Sequence, residues 1–365
     1  MYLCLNDFSI ISCKSVNSEK SVISMVHGRN LSGKANPDIL NSYIFPFLGV
    51  PNESVVVPPT VGFDAGVFKL DKERFIVAAT DPVLGIPTEY FGFFIFHYSA
   101  SDVAVFGAKP QYLINSVIFP ENYNLEIVKK IFVQLNEECL KYNVSILTGH
   151  TGFYPSVTTP LANSTVIGFV DQEHLVLPSN AKPGDLILLT KSLGLEVAVM
   201  MTFSNSRLMQ QFLSTEEINR LKSKITSLTV VPEAMLLSQN LLANAMHDVT
   251  EGGLSTALPE VANAANLGFV ICEEKLPYLP IINQIATEYD VNSLAFSSTG
   301  TLLAAVSPDK VQRAQEILLR NEIQSVVIGK FVNDPRVRKI KSLSNNEEKN
   351  FPEFIQDPYS KLINL

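Results

Sequence analysis

Four aspartates stand where a strand or helix should be apolar, and they constrain this chain's fold more than any other feature. Asp64 lies in VGFDAGV (61–67), Asp81 closes FIVAATDP (75–82), Asp102 sits in SASDVAVFGAKP (99–110), and Asp248 opens DVTEGGL (248–254) just before a helical pattern. A carboxylate removed from water is costly unless it is paired, hydrogen-bonded or bound to a cation. Few lysines or arginines lie near these four in sequence. A hard divalent ion, which prefers oxygen ligands, satisfies them together if the fold makes them converge. Taken singly, each reads as readily as a turn or cap aspartate. Together with their glycines they favour a Mg-nucleotide site.

The totals narrow the classes. At 365 residues two domains are expected, and 46% hydrophobic against 18% charged residues allows substantial cores. A net charge of −8 argues against a general nucleic-acid binder. It leaves room for an anionic ligand, since a bound metal reverses the local field. Cys4, Cys13, Cys139 and Cys272 show no CxxC spacing, which fits a reduced, cytoplasmic protein better than a disulfide framework or zinc site. The aromatic stretch 90–98 is too short for a membrane span, which needs about twenty apolar residues. Residues 1–24 are Ser-rich and non-periodic with no signal-peptide pattern, and read as a poorly ordered extension or a start placed too early.

Periodicity predicts a helix over 35–43, with Pro37 suited to its first turn, and strands at 54–57, 66–70, 74–80, 112–119, 144–147 and 164–170. The segment 89–107 is apolar nearly all round and should be a helix buried on every side. Residues 125–142 form an amphipathic helical pattern. The turn-rich run 180–185 marks a domain boundary before a strand at 186–190. Helices near 194–203, 215–225, 232–243 and 253–265 then alternate with strands at 268–272, 301–306 and 324–330. The resulting layout is an extension (1–24), a first domain (25–175), a second domain (180–335) and an exposed polar tail (336–365). Without a strict βαβ rhythm the fold class is α+β.

Gly252 and Gly253 let the backbone approach a ligand, and the helix that follows offers free N–H groups and a positive dipole end, which suits a phosphate. An ordinary helix N-terminus capped by Asp248 or Thr250 remains the plain alternative. Glu251 would repel a bare phosphate, so affinity there should depend on metal. Thr148-Gly149-His150-Thr151-Gly152 reads as a glycine-flanked polar turn whose His150 either donates to a phosphate or is structural. His97 is expected to be a satisfied core histidine, and Cys272 a packing residue. Ser297–Thr301 is either a hydroxyl-rich ligand edge or a turn. Lys34 follows a glycine but lacks Walker A spacing, so the P-loop reading is rejected.

The ordered motifs GFDAGV (62–67), ATDP (79–82), SASDVAVFGAKP (99–110), TGHT (148–151), KPGDLILLTKSLG (182–194) and HDVTEGGL (247–254) resemble the aminoimidazole ribonucleotide synthetase (PurM)-like superfamily, and within it the HypE-like hydrogenase expression/formation proteins of archaea. The resemblance runs from near Gly33 to near Lys330. It implies an N-terminal α+β domain that pairs across a two-fold into a β-barrel-like homodimer core, with a C-terminal α+β domain packed on it. It implies ATP in the groove with Mg²⁺ held by Asp64, Asp81, Asp102 and Asp248. Gly149, His150 and Thr151 would face phosphate or substrate, and Thr250, Gly252 and Gly253 would complete the phosphate site, with His150 and Asp248 in catalytic roles. The implied chemistry is ATP-dependent phosphorylation of a carboxamide-type oxygen on a small or protein-borne acceptor, with no nucleic-acid or membrane partner. Two departures from the pattern stand inside the motifs: Phe63 precedes Asp64 where an acid is common, and Glu251 stands where HypE has arginine. The third is the ending Lys-Leu-Ile-Asn-Leu, which lacks the terminal cysteine of HypE, so self-modification of the C-terminus is not expected. A small-molecule kinase resembling thiamine-monophosphate kinase and a catalytically idle nucleotide-binding scaffold subunit are the alternatives.

Overall fold

Alternating apolar residues build the first sheet. Strands β1 (Val55–Val57), β2 (Gly66–Lys69), β3 (Arg74–Val83), β4 (Lys109–Pro120), β5 (Ser145–Tyr154) and β6 (Leu161–Asp171) join in the order β1-β2-β3-β6-β4-β5. Phe75, Val77, Ala79 and Val83 of β3 and Ala162, Val166 and Val170 of β6 are buried on its inner face, alternating with residues that point outward. The structure is a computed structural model and describes residues 33–364 apart from Asn36. The expected extension 1–24 lies outside the described residues.

Helix α1 (Phe91–Val105) explains its own composition. Of its 15 residues 13 are buried, because it packs on β3, β4 and β6 on one side and on elements of the second half on the other. Helix α2 (Leu125–Tyr142) covers its flank, burying Ile131, Leu135 and Cys139 at four-residue spacing. Asn124 caps α2 by accepting from the Glu126 N–H, and Asn143 closes it in the left-handed conformation. α2 is also the crossover that lets β4 and β5 run parallel, the other neighbours in this sheet being antiparallel.

The second sheet contains β7 (Leu186–Thr190), β8 (Ala245–Asp248), β9 (Gly268–Cys272), β10 (Leu302–Val306), β11 (Ser325–Val332), β12 (Arg338–Lys341) and β13 (Glu348–Asn350), in the order β13-β12-β9-β11-β7-β10-β8. Around it lie α3 (Leu195–Ser204), α4 (Thr215–Lys222), α5 (Val231–Gln239), α6 (Leu254–Ala264), α7 (Pro280–Glu288) and α8 (Val311–Arg320). The architecture is α+β, as expected, with a change of sheet near residue 180. The hydrophobic core does not stop there: Val77, Phe94 and Val103 belong to the same cluster as Met246, Leu302 and Val306.

The first sheet is open within one chain, with β1 and β5 as its edges; the barrel-like core expected of two copies is not closed in one. Two features differ from expectation. The 148–152 segment is not a turn but the middle of β5. The tail is not merely exposed: β12 pairs with β9 and β13 with β12, Phe351 is buried, and Leu362 is fully buried against α3 and α7 residues. Among the described residues, no helix is long and apolar enough to cross a membrane.

Candidate metal centre

Three rigid elements and one loop bring the four aspartates together. Asp81 is on the inner face of β3, Asp102 in the middle of α1, Asp248 at the end of the fully buried β8, and Asp64 in the loop before β2. Burial pushes the Asp102 carboxyl well above the usual carboxylate range, and the charges of Asp81, Asp248 and Asp64, with a hydrogen bond shared with Asp81, push it further. Carboxylates so placed cannot all ionise without a cation among them. Asp248 Oδ1 is buried and makes no hydrogen bond among the described residues, with His247 Nδ1 3.7 Å away. The donor set is therefore oxygen-rich and under-compensated, which fits a hard divalent ion such as Mg²⁺.

His247 belongs to this cluster but not as a ligand. Its Nδ1 donates to the Asp248 carbonyl at 2.6 Å and lies 3.3 Å from Asp64 Oδ2, while Nε2 lies 3.2 Å from Glu260 Oε2. Ligand atoms of Asp64, His247 and Asp248 all fall within 4.8 Å of one another. Burial disfavours the charged ring, but Asp64, Asp248 and Glu260 outweigh it and raise the His247 pKa well above the ordinary value. With Nδ1 committed to the Asp248 carbonyl and Nε2 facing Glu260, the ring is placed as a partner of the carboxylates.

Beside Asp248 the chain turns through Thr250 and Glu251 into Gly252 (φ +81°) and Gly253 (φ +58°), both in the left-handed region. A Cβ on Gly253 would sit 2.5 Å from the Leu294 and Phe296 carbonyls, so only glycine fits. No side chain caps α6 at this end; the Thr256 N–H turns back to the Gly253 carbonyl, and the N–H groups of Leu254 and Ser255 ahead of it face the turn where an anion would sit.

Gly149 shares a row across the first sheet with Asn115, Ser164 and Asp81. A Cβ there would point at Asn115 Oδ1, 3.0 Å away, so Gly149 faces inward and His150 outward. His150 is exposed, with Nε2 3.0 Å from Tyr154 Oη. The structure therefore does not bring His150 to the carboxylates, and it leaves Thr151 on the outermost strand. His97 is a satisfied core residue, 2.9 Å from both Thr229 Oγ1 and Glu138 Oε2. Cys272 at the end of β9 donates weakly to Glu274. The 297–301 turn uses its hydroxyls internally: Ser297 and Thr299 both donate to Glu196.

His247 and Glu260 went unassigned on the sequence. Glu260 carries the same signal as the aspartates, an acid flanked by Leu258, Val261 and Ala262 on a buried helix face.

Residues 62–170 match the family described as AIR synthase related protein, N-terminal domain, and residues 182–341 match its C-terminal domain. A putative hydrogenase expression/formation protein of Methanocaldococcus jannaschii is 30% identical over 220 residues, covering 60% of this chain and 63% of that relative, so the match stops short of two thirds of its length. The thiamine-monophosphate kinase of Pyrococcus abyssi is 28% identical over 259 residues, covering 69% of this chain and 79% of that protein. The solved structure of hydrogenase maturation protein HypE in complex with ATP superposes with a TM-score of 0.66 at 19% identity, covering 90% of this chain and 97% of that one, and so supports the fold. With both domains matched in order across the two sheets, this chain belongs to the AIR synthase related protein family.

Proposed function

We propose that this protein binds Mg·ATP and activates a carboxamide-type oxygen by phosphorylation. The observation that carries this reading is the convergence of Asp64, Asp81, Asp102 and Asp248 next to the Gly252–Gly253 turn and the uncapped start of α6. The four aspartates would hold Mg²⁺, which supplies charge neutralisation at the transferring phosphoryl group. Thr250, Gly252 and Gly253 would cradle phosphate oxygens, and Gly149 and Thr151 would line the far end of the site. In the transfer the acceptor oxygen attacks the γ-phosphorus and the bond to the ADP oxygen breaks; phosphate later leaves from the activated carbon. His150, facing away from the carboxylates, acts at most on a bulky acceptor or across a subunit boundary. The acceptor is a small molecule or a protein-borne carboxamide, and the protein acts as a cytoplasmic homodimer. The half-exposed outer face of the first sheet, with Phe68, Ile76 and Phe169 in one row, supports the dimer.

The similarity to thiamine-monophosphate kinase favours a second reading, in which phosphate stays on the acceptor. Calorimetric titration of ATP with and without Mg²⁺, followed by phosphate release in the same sample, tests both. The reading expects Mg-dependent binding lost in Asp81→Asn and Asp248→Asn, with phosphate released when a carboxamide acceptor is supplied. Stable phosphorylation of an acceptor supports the kinase reading. ATP binding indifferent to Mg²⁺ and to both substitutions would remove the metal site altogether, and binding without turnover on any acceptor would leave an idle nucleotide-binding subunit.

A further inference from the structure

Three of the four converging carboxylates are fixed by the element that carries them, because β3, α1 and β8 are all packed into the shared core. Asp64 belongs to no such element: it sits in the segment between Val57 and Gly66, which has no helix or strand of its own and reaches the core through Ala65 and through Phe63 against Phe106. Repulsion from the other carboxylates pushes such a loop outward, and sites on loops are less well held than sites on helices and strands.

We propose that Glu260 is a positioning residue for this site, acting through His247 to seat the Asp64 loop against α6. The inference rests on the reading of the aspartates as metal ligands. Besides this apolar anchoring, the loop meets α6 and the residue before Asp248 at two points. Asp64 Oδ2 lies 3.3 Å from His247 Nδ1, and the other ring nitrogen lies 3.2 Å from Glu260 Oε2, so the imidazole bridges the loop to the helix. Two residues earlier, Gly62 (φ +82°) rests directly on the same glutamate: a Cβ there would come within 3.1 Å of Glu260 Cβ and 3.2 Å of its carbonyl oxygen. His247 and Glu260 are both buried, at 1% and 5% exposure, so neither contact is diluted by water. Partners behind a ligand that orient it in this way typically change metal affinity ten- to a hundred-fold when removed. Glu260 touches no reacting atom in this scheme; its effect on the metal passes through His247 and the loop.

The test pairs Glu260→Gln with Gly62→Ala, which disturb the seat from the helix side and from the loop side. Hydrogen exchange of residues 60–66 is measured on ligand-free protein, and Mn²⁺ alone is titrated by electron paramagnetic resonance. The expected result is faster exchange confined to that loop, with unchanged exchange in α1, and a Mn²⁺ half-saturation raised about ten-fold or more. If either variant fails to fold, the other carries the test. Wild-type exchange in the loop overturns the proposal, and so does faster exchange with unchanged Mn²⁺ affinity. A wild-type protein that binds no Mn²⁺ refutes the metal reading itself, while the exchange data still decide whether Glu260 seats the loop.

Discussion

Lys191 Nζ lies 2.7 Å from Glu233 Oε1, and the glutamate side chain has no exposed surface. The ammonium also donates to the carbonyls of Ser227 at 3.1 Å, Thr229 at 2.6 Å and Gly300 at 2.9 Å. One cation thus ties the end of β7 to α5 and to the loop before β10. Thr229 in turn bonds His97 on α1, so the tie extends to the helix of the first sheet.

Removing the cation leaves Glu233 buried and uncompensated. Lys191→Met is expected to cost about 3–5 kcal/mol of unfolding free energy. Glu233→Gln, which leaves the ammonium its three carbonyls, should cost less, about 1–3 kcal/mol. Urea unfolding of both variants measures the difference, and equal losses below about 1 kcal/mol would contradict this account.

Asp102 is already disfavoured from ionising when no cation is present. Asp102→Asn is therefore expected to leave the metal-free melting temperature unchanged or raised, since it removes a share of the like-charge repulsion. The same substitution should abolish the stabilisation given by Mg²⁺ with ATP, about 2.7 kcal/mol for wild type at a hundred times the dissociation constant. Thermal melts with and without Mg·ATP separate the two effects; a destabilised metal-free variant that still responds fully to Mg·ATP would exclude Asp102 as a ligand.

The C-terminal segment brings a pH dependence. Asp357 accepts from the backbone N–H of Ser297 at 2.9 Å and of Tyr359 at 2.8 Å, and the Phe354 N–H donates to the Ser255 carbonyl beside the glycine turn. Burial, aided by the charges of Glu196 and Glu251, pushes the Asp357 carboxyl up to about 7. An undocked chain would titrate near ~3.9. The docked state then holds more protons than the undocked one across that interval, so docking is strongest below about pH 4 and weakens as pH rises to about 7, levelling off above. Proteolysis of the 351–364 segment should accelerate from pH 5.5 to pH 8 in wild type and stay flat in Asp357→Asn. A flat wild-type profile would rule out Asp357 as the titrating group.

The outer face of the first sheet sets a prediction about assembly. Phe68 is 37% exposed and sits in register with Ile76, which pairs with Phe169. If this face joins two copies, Phe68→Lys should shift the mass seen by light scattering from dimer to monomer without lowering helix content. A wild-type monomer at micromolar concentration would remove the two-fold from the functional reading.

Much of this was legible in the sequence, for identifiable reasons. β7 and β9 are short apolar runs bounded by Gly or turn residues, and α2 has clean amphipathic spacing with Asn at both ends, so local signals and tertiary packing agree. The acid cluster was visible because an aspartate inside an apolar run is costly wherever it lands. β12 and β13 were hidden because strands at the sheet edge carry charge, here Arg338, Lys339, Lys341, Glu348 and Lys349, and so read as solvated tail. β5 reads as a turn beyond residue 147 because of Gly149 and Gly152, whose missing side chains instead make room for Asn115 and the Tyr154 ring. His247 is not legible as a site residue in the sequence because its partners, Asp64 and Glu260, are far away along the chain.

Because α1 is packed between both sheets, Asp102 cannot shift unless the centre of the molecule shifts with it. Assembling the core and placing that carboxylate are one event. Whatever adjustment the site makes as a ligand arrives must come from its margins, the Asp64 loop and the segment around Asp357. A chain with this layout would tune its affinity at the rim and keep its hub unmoving, much as a wheel is trued by its spokes while the axle stays put.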